Sequence, residues 1–375
     1  MVDSKPRSSL ADASTAPTVE DVARAAGVST ATVSRALNKP DAVRAGLRMK
    51  VLAAVDRLGY VAHAGARALS LRRSGTVGVV VPTIDNAIFA CGLQAFQRRM
   101  SDAGQLVLLA FSDYSPEQED AQAQALLARG VDALALTGLS QRPALLARLA
   151  QRGLPWVHTG AYPAPTGQAC VGFANRDAIA RVVQYLLALG HKRIAMLAGI
   201  TNSNDRAADR VAGVRLALAD AGLTLLPEYL IEAPYSLQAA RDATRGLLAQ
   251  RWPPTALVCG NDVLAWGALL ECQAQNIKVP DQMSIVGFDD LELSRHLRPA
   301  LTTVHVPTER MWAQAADYLI GRLDGRLSPG LQQTVDVELV VRGSTAPPKR
   351  SRVASSTSAG RRARSGKNPI NPSKN

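Results

Sequence analysis

The sequence predicts a small all-α helix-turn-helix headpiece followed by an α/β core of two doubly wound parallel-sheet lobes, and three observations carry that prediction. The chain has 375 residues, too many for one small domain at about 100 to 200 residues per domain. Three short helical periods crowd into residues 18 to 60. From Thr76 onward, β-branched runs alternate with amphipathic stretches, the pattern of a parallel sheet with helices on both faces.

Composition narrows the function classes. Apolar residues make up 47% of the chain, enough for a large core, yet no run of eighteen of them occurs. The N-terminal MVDSKPRSSLADASTAP lacks the apolar segment of a signal peptide, so a cytosolic protein without a membrane partner is expected. Cys91, Cys170, Cys259 and Cys272 are scattered, with no zinc spacing. They read as buried thiols acting as small apolar residues, and no metal or cofactor is expected. The net charge of +12 is concentrated at the two ends. Residues 1 to 74 carry a net +6, residues 349 to 375 carry 8 basic residues and no acid, and the stretch between them is −2. Such ends suit a polyanion, while the near-neutral middle serves another purpose.

Taken in order, residues 1 to 17 have no periodicity and read as disordered. In TVEDVARAAGV, Val19, Val22, Ala23 and Ala26 fall at helical spacing, and Thr18 with Asp21 forms a capping-box signature. Gly27 ends that helix. Ser29 caps a second helix running through Leu37, and Val43 to Leu58 supplies a third with Val51, Leu52, Val55 and Leu58 on one face. Arg44 stands where a capping residue would help the third helix, leaving Asp41 as the nearest alternative cap.

After Tyr60, the small and basic VAHAGARALSLRRSG reads as a linker over residues 61 to 74. The core, residues 75 to 347, then opens with strand TVGVVVP, a helix near 86 to 103, strand QLVLLAF, a helix at 116 to 129, VDALALTG, a helix at 143 to 152 and LPWVHTG. The alternation restarts after VGFANRDA: helix 175 to 189, KRIAMLAG, helix 205 to 221, PEYLIEA, helix 236 to 250, TALVCG, helix 261 to 275 and MSIVGFDD. Two units in series imply two lobes with a ligand cleft between them. Residues 348 to 375 are almost without apolar content and read as a disordered basic tail.

The spacing of Ala23, Gly27 and Val33 fits a helix-turn-helix, with the small residue at the helix crossing, glycine in the turn and valine pinning the second helix. It turns the stretch containing Ser29, Thr30, Ala31, Thr32, Ser34 and Arg35 outward. These side chains suit a major groove: hydroxyls reach phosphates or base edges, Ala31 meets a thymine methyl, and Arg35 forks onto guanine O6 and N7.

The ordered series TVEDVARAAGVSTATVSRALN, LGY, ARAL, GVVVP, LGHKRIAMLAG, RVAG, GNDVLAWGAL, VPDQMSIVGFDD and LTTV resembles the lactose and galactose repressor family of bacterial transcription factors, from Thr18 to about Arg342. VRAGLRMKV, VGFANRDA and VPTERM add a resemblance to its gluconate-repressor branch. The resemblance implies a DNA-binding headpiece, a hinge helix and a core like periplasmic sugar-binding proteins that dimerises and binds a small effector. It further implies a double-stranded operator as partner, a sugar or sugar acid as effector, and a homodimer, with a tetramer as the alternative. By position, Thr30, Ala31 and Arg35 match base-reading residues. Leu69 matches a leucine wedged into the minor groove, where unstacking of a few kcal/mol is offset by the contacts a kinked duplex allows. Ala62-His63 replaces the usual Pro-Asn opening of the hinge helix and Gly65 lies inside it, so this hinge is expected to fold only on DNA.

In the core, Arg210, Asn261 and Asp289 match the family's ligand contacts, and Phe89 and Tyr235 are candidate apolar walls of the effector site. A guanidinium fork, an amide and a carboxylate suit adjacent sugar hydroxyls, and Arg210 also suits a carboxylate. An enzyme is the competing reading, with Asp289-Asp290 as a carboxylate pair, but adjacent residues rarely converge and no GxSxG, HExxH, P-loop or GxGxxG is present. A cytosolic carbohydrate-binding protein would have no use for the headpiece. A helix-turn-helix regulator without an effector is separated by ligand titration.

Overall fold

A computed structural model describes residues 16–61 and 73–349. The expectations for residues 1 to 15, for most of the linker including Ala62, His63, Gly65 and Leu69, and for residues 350 to 375 lie outside the described residues.

The headpiece holds α1 (Val19–Ala26), α2 (Thr30–Asn38) and α3 (Ala45–Leu58). The capping box forms, with Asp21 N–H donating to Thr18 Oγ1 at 3.3 Å and Thr18 N–H donating to Asp21 Oδ2 at 3.0 Å. Gly27 ends α1 at φ 68°, a left-handed geometry that glycine adopts without strain. Val22, Ala23, Val33, Ala36, Val51 and Ala54 form the small core. Two expectations fail here. Asp41 lies in a 3-10 turn, Pro40–Ala42, and α3 starts at Ala45 behind Arg44, which gives no side-chain cap. Leu52 is 37% exposed, because Ala54 takes the inward position beside Val51.

Lobe 1 is built on a six-stranded sheet. Its N-terminal part is β1 (Thr76–Val81), α4 (Ala87–Asp102), β2 (Leu106–Phe111), α5 (Pro116–Ala128), β3 (Ala133–Thr137), α6 (Pro143–Gln151), β4 (Trp156–Thr159) and β5 (Cys170–Gly172). Alternation along β1 covers both faces: Val77, Val79 and Val81 join Phe96 and Met100 of α4, and Val80 joins Leu126, Leu134 and Leu145 on the other side. Lobe 2 follows with α7 (Asn175–Ala188), β6 (Ile194–Gly199), α8 (Asp205–Asp220), β7 (Leu230–Ala233), α9 (Leu237–Leu248), β8 (Ala256–Cys259), α10 (Asp262–Ala274), β9 (Ser284–Asp289), α11 (Glu292–His296) and β10 (Thr302–His305).

The two units are not in series, which corrects the sequence reading. After β10 the chain returns to lobe 1 as α12 (Thr308–Leu323) and β11 (Gln332–Thr334), then crosses again to place β12 (Glu338–Val340) in lobe 2. The sheet orders are β11-β5-β4-β3-β1-β2, wholly parallel, and β12-β10-β9-β8-β6-β7, with only β12 antiparallel to its neighbour. Helix α12 lies along α4, where Trp312 packs edge-on to Phe96 at 5.8 Å and sits so close to Gly92 that a Cβ there would collide with the indole. Three chain crossings therefore join the lobes, and the C-terminal ends of both sheets face one cleft. Cys91 is exposed, contrary to expectation, while the other three cysteines are buried. No helix among the described residues is long and apolar enough to cross a membrane.

Candidate functional site

On the headpiece, Ser29 precedes α2 and accepts from Thr32 N–H at 3.3 Å, so the outward face begins at a fixed helix start. Ser29, Thr30, Ala31, Ser34 and Arg35 are exposed and Thr32 is half-buried. The Ser29 and Thr32 hydroxyls bond each other at 2.9 Å, which engages one of their two donors. Asn38 donates to Ser34 Oγ at 3.3 Å, so the Ser34 hydroxyl acts there as acceptor and keeps its own proton to donate. Arg35 makes no ion pair among the described residues, whereas Arg24 on α1 is held by Asp21 at 3.0 Å. The sequence thus brings these six together on one surface; Leu69 lies outside the described residues.

The five core candidates, Phe89, Arg210, Tyr235, Asn261 and Asp289, line one cavity between the lobes. Arg210, in the second turn of α8, is buried and strongly oriented. Its Nε donates to Asn175 Oδ1 at 3.0 Å, its Nη1 donates to the Gly260 carbonyl at 2.7 Å, and its guanidinium lies 3.8 Å from the Phe288 ring centroid. Asn175, at the start of α7, donates in turn to the Gly160 carbonyl of lobe 1 at 2.9 Å. Arg210 Nη2 has no partner among the described residues and is the free tine of the fork. Burial lowers the Arg210 pKa, and the nearby Asp289 opposes the shift.

Asn261 caps α10, its Oδ1 accepting from Leu264 N–H at 2.9 Å, while its buried Nδ2 is left without a partner. An unpaired buried donor costs roughly 1 to 3 kcal/mol, which a ligand acceptor would recover. Asp289 ends β9 at φ 116° and Asp290 follows at φ 56°, both left-handed, so this turn is strained. The strain has an anchor beneath it. Asp262 accepts from Leu291 N–H at 2.8 Å, Ser294 Oγ at 2.6 Å and Thr303 Oγ1 at 2.5 Å, and burial pushes its carboxyl up to about 6. The two adjacent aspartates diverge: Asp290 meets Arg342 at 2.6 Å and His305 at 3.1 Å, while Asp289 faces the cavity. Burial pushes the Asp289 carboxyl up to about 8 against the pull of Arg210. No hydrogen-bond donor reaches its oxygens among the described residues, so only the Arg210 charge offsets the desolvation.

Several cavity residues were not singled out in the sequence. Tyr114, whose ring lies 5.9 Å from Tyr235, follows β2 at φ 59°. Thr137 and Thr159 end β3 and β4, and Asn86 and Asn204 cap α4 and α8. Arg206 is a second guanidinium, and Trp312 and Met311 come from the returning α12. The caps and strand ends were available signals, since ligands gather at the carboxyl ends of parallel strands; α12 was not, because no periodicity reveals which lobe a helix joins. Asp205, beside Arg206, docks on lobe 1 by accepting from Leu139 N–H at 3.0 Å and Ser140 Oγ at 3.1 Å. The cavity is about 60 Å³, room for a few waters, whereas ligand pockets measure about 300 to 1,000 Å³. The lobes touch each other beside it, through Asn175 to Gly160 and through Asp205 to Leu139 and Ser140.

Comparison with known proteins reads both sites. Residues 18–63 match the model of bacterial regulatory proteins of the lacI family, and residues 183–345 match a periplasmic binding protein-like domain. The transcriptional repressor CytR of Escherichia coli K12 is 33% identical over 332 residues, covering 88% of this chain and 97% of its own. The chain belongs to the LacI family. It is a DNA-binding transcriptional regulator with an effector-type core. The transcriptional regulator GntR of the same organism is 32% identical over 309 residues, 82% of this chain and 92% of its own. The Lac repressor dimer bound to operator and the anti-inducer ONPF superposes with a TM-score of 0.79 at 28% identity, covering 88% of this chain and 99% of that one. A complex of the regulator CelR with cellobiose gives 0.65 at 28% identity, over the same shares.

Proposed function

We propose that this LacI-family regulator is a repressor that reads its operator with Thr30, Ala31 and Arg35, supported by Ser29, Thr32 and Ser34, and that a sugar or sugar acid bound between the lobes controls it. Leu69 is the proposed minor-groove wedge. The reading places the protein in the cytoplasm, acting by binding and not by catalysis, in keeping with the regulators it resembles. A homodimer is in keeping with the exposed apolar edge at β2, where Leu106, Leu109 and Phe111 face solvent. A dimer would set two copies of α2 about one helical turn apart on a palindromic site.

One observation carries the effector reading: a buried guanidinium fork, an unpartnered amide and a desolvated carboxyl line one cavity between the lobes. That set gives donors and acceptors to adjacent hydroxyls, and the two guanidinium groups, Arg206 and Arg210, admit an acid. Arg210, Asn261 and Asp289 belong to lobe 2, while Phe89, Thr137 and Thr159 line the cavity from lobe 1, so a ligand touching both sets favours the closed arrangement, and only such differential affinity can shift the dimer's hinge spacing. A thermal-shift screen of sugar acids first, neutral sugars next and purines third tests it. A ligand at about 100 times its Kd adds roughly 2.7 kcal/mol of stability. Stabilisation that persists unchanged in Arg210→Ala would place the ligand elsewhere.

A further inference from the structure

Residues 173 to 175 join β5 of lobe 1 to α7 of lobe 2, and this crossover holds Arg210 by two routes. Directly, Asn175 Oδ1 accepts from the Arg210 Nε at 3.0 Å. Indirectly, the guanidinium lies over the Phe288 ring, and that ring stacks on Phe173 with centroids 5.9 Å apart and planes at 24°. Asparagine at the start of a helix usually caps it, yet no side chain caps α7. The buried Asn175 amide is spent on tertiary bonds instead.

The two ends of that amide belong to different bodies. Asn175 moves with lobe 2: α7 and α8 approach so closely at Gly213 that a Cβ there would collide with the Arg176 carbonyl, and Arg176 pairs with Asp209 at 2.8 Å. Its Nδ2 donates to the Gly160 carbonyl at 2.9 Å, and Gly160 moves with lobe 1. Gly160 N–H donates to the Val171 carbonyl at 3.1 Å, and a Cβ on Gly172 would collide with the Ala161 backbone, so the ends of β4 and β5 form one stiff piece. One planar group thus offers an acceptor to Arg210 and a donor to lobe 1, where a carboxylate would offer the acceptor alone. The Phe173 carbonyl, 3.4 Å from Nδ2, is a second and poorer partner.

We propose that Asn175 is a positioning residue that makes the aim of the Arg210 fork follow the separation of the lobes. Its part in regulation rests on the reading of this cavity as the effector site. When the lobes part, the Gly160 carbonyl leaves Nδ2, the amide turns to the Phe173 carbonyl, and Oδ1 is drawn off the Arg210 Nε. The fork is then held by the Gly260 carbonyl and the Phe288 ring and loses its fixed direction. When the lobes meet, the same amide restores it. Grip on an effector and the angle between the lobes become one event, linked through a single side chain.

Two readouts on the full chain test this without any ligand. The first is exchange of the Arg210 Nε–H with water, followed by NMR of isotope-labelled arginine and assigned by its loss in Arg210→Lys. The second is energy transfer from a dye on Cys91 of lobe 1, which is exposed while the other three cysteines are buried, to a dye introduced on lobe 2 by Lys278→Cys at an exposed site. Labelled chain is diluted into unlabelled chain so that each dye pair lies within one protomer. Asn175→Ala removes both contacts, so exchange should rise at least about tenfold and the transfer distribution should broaden and shift. Asn175→Asp keeps the acceptor and loses the donor, so exchange should stay within about twofold of the parent while the transfer distribution still shifts. A residue that merely filled space would move both readouts together in both variants. Exchange as slow in Asn175→Ala as in the parent overturns the positioning role, and an unmoved transfer distribution in Asn175→Asp overturns the link to lobe 1. Should Asn175→Ala not fold, Asn175→Asp decides alone, since fast Nε–H exchange or an unmoved distribution in it is contrary to the proposal. Neither readout depends on the thermal-shift screen, which separately decides whether the cavity is the effector site.

Discussion

The headpiece and the lobe cleft both recognise ligands, and they do so with opposite physical arrangements. In the headpiece the recognising side chains are exposed and nearly unconstrained beyond a helix cap, carried on a core of six small buried residues. In the cleft they are buried, cross-linked to the backbone and held at a cost: a desolvated arginine, a carboxyl raised to about 8 and an amide without a partner. Exposed groups lose little by waiting for DNA, whose own phosphates supply the electrostatic attraction. Under the proposed reading, the buried groups are preorganised for one small ligand, and binding relieves the cost of holding them.

The sharpest way to break this contrast is Arg210→Ala. Removing one member of a buried hydrogen-bonded set should cost effector affinity on the order of 2 to 5 kcal/mol and abolish the effector's thermal shift, with effector-free operator binding intact. Loss of both activities together would show that cleft and headpiece are not separable.

Asp289→Asn tests the same cost through pH. The parent carboxyl is ordinarily near 3.9 and is raised to about 8 when folded. The folded state therefore holds more protons between those values, so this group's contribution to stability falls as pH rises from about 4 to about 8. Differential scanning calorimetry of the ligand-free core should show the parent's Tm declining over that window and the variant's declining less. Effector affinity in the parent should rise over the same window, because a ligand that donates to the carboxylate displaces the proton. A parent Tm rising from pH 5 to 8 more steeply than the variant's contradicts the assignment.

On the headpiece, Arg35→Ala is expected to weaken specific binding by about 1 to 3 kcal/mol and to leave non-specific binding nearly unchanged. Equal loss on operator and random duplexes, measured by fluorescence anisotropy, would reduce Arg35 to a phosphate contact. Ser29→Ala should lower headpiece stability by about 1 kcal/mol through the lost cap, seen as a shift in one unfolding transition and not in the core's. The smallest effect is expected at Leu52, where Leu52→Lys should change headpiece stability by no more than about 0.5 kcal/mol. A loss of several kcal/mol there would return Leu52 to the core.

These differences also explain what the sequence disclosed. Headpiece recognition is local: Ala23, Gly27 and Val33 fall within one supersecondary motif, and their spacing alone turns Arg35 outward. Leu52 was misplaced because Ala54, too small to stand out in an apolar pattern, is the residue that faces Val33's core. In the core, the strands and helices up to Asp289 are written in alternating periods. The three-residue β5, β11 and β12 are too short to show a period, and the polar TTVH of β10 is a strand only because its neighbours bury it. Arg210, Asn261 and Asp289 were visible through family resemblance, but the contact by which Asn175, at the start of α7, orients Arg210 is a tertiary fact.

The return of α12 and β11 to lobe 1 has a consequence for synthesis. Phe96 and Met100 of α4 lie against a face that Trp312 completes, about two hundred residues later in the chain. At roughly 5 to 20 residues per second, a ribosome needs on the order of 10 to 40 seconds to deliver it. Throughout that interval lobe 2, whose strands from β6 to β10 are all encoded in between, can assemble while lobe 1 waits with an apolar face bare. The nascent chain is therefore most vulnerable to aggregation and chaperone capture in its first-made lobe, an order of risk the finished molecule conceals.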